Sequence, residues 1–125
     1  MSKSKKKSKK PKFHHLYFEV LGANVYVIIC SRQEYEKAIL YEFGETAPKK
    51  VKTVPATFEA YKKSGIPVGV IWLKKQVKKC DIAHECMHAV HWILLDKGIW
   101  LTDSSEEIYA YMIGYIFKKI EGYIR

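Results

Sequence analysis

The pentapeptide His84-Glu85-Cys86-Met87-His88 holds the residue types and spacing best suited to chemistry in this chain. Two His four residues apart on an α-helix lie on one face, about 6 Å apart along the axis. That spacing lets two imidazoles chelate one metal ion, and zinc is the ion expected. Glu85 flanks the same stripe, where a carboxylate can hold a metal-activated water and take its proton. The plainer readings are a chance match on a buried helix, or a zinc-free helix with buried His. The motif sits at the centre of the most helix-like segment of a short chain, and this favours the functional reading.

Two His do not complete a catalytic zinc site, which takes three protein ligands and a water. His91 shares the angular stripe of His84 and His88 but lies about 10 Å from His84 along the axis, too far for one ion. It is expected in the core or beside a ligand. Cys80, four residues before His84, stretches the set along the axis in the same way. The following helix offers carboxylates that can reach back toward His88. Glu107 is preferred over Glu106 because the small Ala110, three positions on, permits close helix approach. Each has a plainer role as a capping-box glutamate, Glu107 with Ser104 and Glu106 with Asp103. Tyr109 and Tyr111 are candidates for stabilising an oxyanion, against the plainer reading of core packing.

These side chains need a frame, and the hydrophobic periodicity supplies one. Residues 15–20 alternate as a strand, 21–24 turn, and 25–30 form a near-continuous apolar strand, together a hairpin. Ser31 opens a helix with Glu34 three residues on as a capping box, and Gly44 stops it. Residues 45–54 read as a loop. A short strand over 56–61, a turn at Ser64-Gly65 and a strong strand over 67–73 follow. The motif helix runs over about 77–97, and the last helix over about 105–121. A short connection makes these two helices antiparallel. The expected fold is α+β: a small twisted sheet packed on helices, with the metal-binding helix followed by an antiparallel Glu-bearing helix.

The chain has 125 residues, enough for one domain with a core but not for two. Its formal net charge of +9 is unevenly spread. Residues 1–12 hold seven Lys and no acid, and without them the charge falls to +2. This Lys/Ser-rich segment has nothing to bury and is expected to be disordered, leaving 13–125 as a single metal-binding domain. The segment could contact nucleic acid non-specifically through phosphates, or serve only as a solubilising leader. No apolar run reaches membrane-spanning length, and no signal-peptide core follows the basic start. Three Cys without paired spacing suit free, mostly buried thiols in a reducing cytoplasm.

The stretch Ala83-His84-Glu85-Cys86-Met87-His88-Ala89-Val90, followed by Glu107-Ile108-Tyr109-Ala110-Tyr111, resembles the gluzincin branch of zinc metallopeptidases. It is most similar to very small single-domain versions, including short proteins encoded by bacteriophages, which would place it in a host cytoplasm. The resemblance covers about the last sixty residues. It implies a minimal zincin-like fold, Zn²⁺ held by His84, His88 and Glu107, and Glu85 as general base for hydrolysis of a peptide or protein substrate. The substrate backbone is expected along an edge strand, the segment 66–73. Larger gluzincins often carry an Asp four residues after the third ligand; here that position is Tyr111, which lowers ligand basicity unless Asp81 or Asp103 substitutes. The alternative function is a non-catalytic, zinc-stabilised phage accessory or binding protein whose basic tail contacts nucleic acid.

Overall fold

The alternating and helical stretches fold as four strands and three helices in the computed structural model, which describes residues 10–49 and 54–124. Strand β1 (Phe13–Phe18) pairs antiparallel with β2 (Ala23–Ile29), from Phe13 opposite Ile28 to Phe18 opposite Ala23. The turn between them closes with Gly22 at φ 62°, a left-handed conformation that suits glycine. Helix α1 (Arg32–Phe43) starts as the sequence implies: Ser31 Oγ accepts from the Glu34 N–H, and the Glu34 carboxylate accepts from the Ser31 N–H. It stops at Gly44, whose N–H donates to Leu40 O at 2.9 Å.

A second hairpin joins β3 (Ala56–Lys63) to β4 (Ile66–Leu73) through Ser64 and Gly65, both at positive φ. The sheet order is β1-β2-β4-β3, with β2 and β4 parallel and the other pairs antiparallel. The segment 66–73, expected to be a sheet edge, is therefore central, and β3 is the edge on that side. The reason lies in composition. From Val68 to Leu73 every β4 residue is buried, which a strand covered on both faces requires. The β3 sequence ATFEAYKK mixes apolar and charged residues and tolerates an open side.

Helices cover both faces. On one, Val25, Val27, Ile71 and Leu73 pack against α2 (Lys79–Asp96) and α3 (Glu106–Ile124). On the other, Ile28 and Trp72 pack against Tyr35 and Ile39 of α1. Trp72 is fully buried because its Nε1–H finds the Cys30 carbonyl at 2.9 Å. Gly98 (φ 74°) reverses the chain after α2, with the Ile99 N–H returning to Leu94 O at 2.9 Å. Helices α2 and α3 are antiparallel, as Lys79 at the start of α2 and Glu121 near the end of α3 stand 3.5 Å apart. The fold is α+β, with a four-stranded mixed sheet and three helices.

Most of the basic leader, residues 1–9, lies outside the described residues. From its last part, Lys10 places its ammonium 4.4 Å from the centre of the Tyr41 ring. Among the described residues no helix is long and apolar enough to cross a membrane.

Candidate metal centre

Helix α2 is rotated by its apolar side. Ile82, Cys86, Ala89, Val90, Ile93 and Leu94 are all buried, which leaves the stripe through His84 and His88 exposed. The two Nε2 atoms converge to 3.1 Å, with the rings nearly perpendicular at 78°. Two nitrogens held at about 2.0–2.1 Å in a tetrahedron stand about 3.3 Å apart, so this pair fits two positions of a zinc site. Burial foremost, and then the nearby His84 and His91, lower the pKa of His88 below its ordinary value. That favours the neutral imidazole, the form that binds a metal.

Glu85, next in sequence to His84, is by contrast buried and only 7 % exposed. Carboxylates are seldom so deeply placed. It lines a groove of about 560 Å³ between α2 and the edge strand. His88 and His91 stand on the helix side and residues 56–59 of β3 on the other, while Phe58, Trp92 and Leu95 make the lining apolar. The groove thus brings a buried carboxylate and one of the paired His to an edge strand.

The structure brings together His84 and His88, and Glu85 shares a groove with His88, but the remaining candidates are not brought to them. Among the described residues no group of three or more His, Cys, Asp and Glu side chains is placed to hold a metal ion. Glu106 and Glu107 are both exposed in the first turn of α3. The phase of α3 is set by Tyr109, Ile116 and Ile120, which are buried. Two residues turn a helix by about 200°, so Glu107 lies on the side away from Tyr109. Ala110 is exposed and does not mediate a close helix contact. Tyr109 is core: its ring lies 6.4 Å from that of His91, and its hydroxyl donates to Ile99 O at 2.9 Å. Tyr111 is 76 % exposed. His91 is half-buried and lines the groove. Cys80 is exposed, whereas Cys30 and Cys86 are buried, their thiols pushed up to about 12 by burial first of all.

Sequence reasoning missed Phe58 and Trp92. Trp92 was findable, being four residues beyond His88 and so on the same helix face. Phe58 was not, because its place depends on which strand takes the sheet edge. No protein-family model matches the chain, and neither the curated proteins nor the solved structures contain a match to it.

Proposed function

We propose that this protein is a zinc-dependent peptide hydrolase. The observation that carries this reading is the convergence of the His84 and His88 Nε2 atoms to 3.1 Å, with His88 and the buried Glu85 lining one open groove. His84 and His88 would hold the ion, and Glu107, from the first turn of α3, is the proposed third ligand, which would reach it if that turn rotated relative to Tyr109. Bound Zn²⁺ supplies Lewis acidity, lowering the pKa of water and polarising a carbonyl. Glu85 would take the proton of the attacking water and pass it to the leaving amine.

The edge strand offers a way to hold an extended substrate. The Lys62 N–H points away from β4, since it donates to Glu45 Oε2 at 2.7 Å. In an antiparallel pair such outward residues recur at every second position, so the backbone groups of Ala56, Phe58 and Ala60 also face outward. Residues 56–59 line the groove, and a peptide laid there can add to the sheet as a further strand.

The test is zinc content together with turnover. The purified chain is expected to carry about one zinc per molecule, released in acid as the His ligands protonate. Glu85→Gln is expected to keep the zinc and lose all peptide cleavage. Protein free of first-row metals after preparation without chelator, or a Glu85→Gln variant as active as wild type, would overturn the reading.

A further inference from the structure

Gly69 lies inside the central strand β4, at neither a turn nor a positive φ. Glycine weakens a strand interior and often marks a site where another group approaches the backbone closely. Here that group is an aromatic ring. A Cβ on Gly69 would stand 2.7 Å from Phe58 Cε1, 2.8 Å from Phe58 Cζ and 3.1 Å from Trp92 Cζ3. Phe58 is opposite Ile71 in the pairing of β3 with β4, so its ring leans diagonally across the strand onto the bare backbone of Gly69. Trp92 closes over it from α2, with ring centroids 5.7 Å apart.

The two rings are packed on the core yet only half-buried, and both line the groove. Leu95, also half-buried, extends the same wall. Trp92 follows His88 by one helical turn, about 6 Å along the axis. A peptide in extended form advances about 3.3 Å per residue, so a chain reacting at His84 and His88 places a side chain one or two residues away against these rings. The carboxylates at the groove are Glu85 and Glu59, and Glu59 is paired with Arg32 at 3.1 Å.

We infer that Phe58, Trp92 and Leu95 form a binding pocket for a large, uncharged apolar side chain of the substrate, and that Gly69 determines its shape from beneath. This rests on the proposed peptide-hydrolase reading for the location of the reacting bond, but the pocket itself can be tested separately. Gly69 is a positioning residue: it touches no ligand, and any side chain there forces the Phe58 ring, and with it the Trp92 contact, to shift.

The experiment titrates the full chain with the acetyl amides of phenylalanine, leucine and glycine, followed by NMR of the Trp92 indole and Phe58 ring resonances. The phenylalanine and leucine amides are expected to bind about tenfold or more tighter than the glycine amide and to shift both rings. Trp92→Ala and Leu95→Ala should reduce that preference severalfold, and Gly69→Ala should do the same without removing any contacting atom. Should Gly69→Ala not fold, the other two variants carry the decision. Equal binding of the three amides by wild type, shifts confined to another surface, or a preference kept in all folded variants would overturn the pocket. Peptide cleavage is measured on the same preparation. Apolar preference without cleavage retains the pocket and rejects the hydrolase reading; cleavage without preference does the reverse.

Discussion

Arg32 Nη2 lies 3.1 Å from Glu59 Oε2, tying the first residue of α1 to the middle of the edge strand. The guanidinium sits over the Tyr35 and Trp72 rings, and its Nη1 donates to Thr57 Oγ1 at 3.0 Å. The Tyr35 and Tyr61 hydroxyls donate to Glu59 Oε1 at 2.5 and 3.0 Å. The side chains of Arg32 and Glu59 are only 13 % and 10 % exposed. Removing one partner strands the other charge in this setting, so Arg32→Met is predicted to cost about 3–5 kcal/mol in urea unfolding. The double variant Arg32→Met/Glu59→Leu should lose clearly less than the two single losses combined. A loss below about 1 kcal/mol for Arg32→Met would show that the pair behaves as a surface ion pair instead.

The proposed third zinc ligand is tested by comparing two adjacent glutamates. The proposal assigns it to Glu107, which requires the first turn of α3 to turn relative to Tyr109. Glu107→Ala is then expected to weaken zinc binding more than tenfold beyond Glu106→Ala, since removing even an outer hydrogen-bond partner of a ligand costs about 10–100-fold. Competition with a chromophoric chelator measures both. The opposite order would assign the ligand to Glu106, which lies three residues before Tyr109 and on its inward side.

His14 stacks on Tyr123 with ring centroids 4.0 Å apart, joining β1 to the end of α3. Burial first, and then the charge of Lys12, lower its pKa below the ordinary value of 6.5. In the window between the lowered value and 6.5, the unfolded chain binds a proton that the folded chain does not. Stability from this group is therefore complete above about pH 6.5 and declines as pH falls through the window. In metal-free protein, Tm is predicted to drop between about pH 7 and pH 5, with His14→Phe flattening part of the drop. His88, lowered in the same direction, contributes with the same sign. An unchanged pH profile in His14→Phe would remove His14 as a cause.

Much of the frame is legible locally. Ser31 with Glu34, Gly44, and Ser64-Gly65 carry their own geometry, and the structure shows each one in place. The convergence of His84 and His88 follows from helix periodicity alone, because residues four apart must meet. Sheet order does not follow in that way. Nothing local to 66–73 says that β2 will pair with it in parallel, and the apolar run from Val68 was compatible with edge or centre until both its faces were seen covered. The facing of Glu107 was equally out of reach. It depends on how Tyr109, Ile116 and Ile120 settle against α2, and the small Ala110 proved to be a surface residue.

The parallel pairing of β2 with β4 has a kinetic consequence. Each hairpin, β1–β2 and β3–β4, joins residues close in sequence, whereas the contact from Val25 to Gly69 spans α1 and the whole of β3. Closing so long a loop is entropically slow, and local pairs form first. The most buried line of the sheet is thus predicted to be its last seam to close, and pulsed amide labelling during refolding should protect the hairpins before the β2–β4 pairing. Until then two apolar strands present unpaired sides, the condition under which chains associate edge to edge. For this protein the hazard in folding lies at the middle of the native sheet, not at its rim.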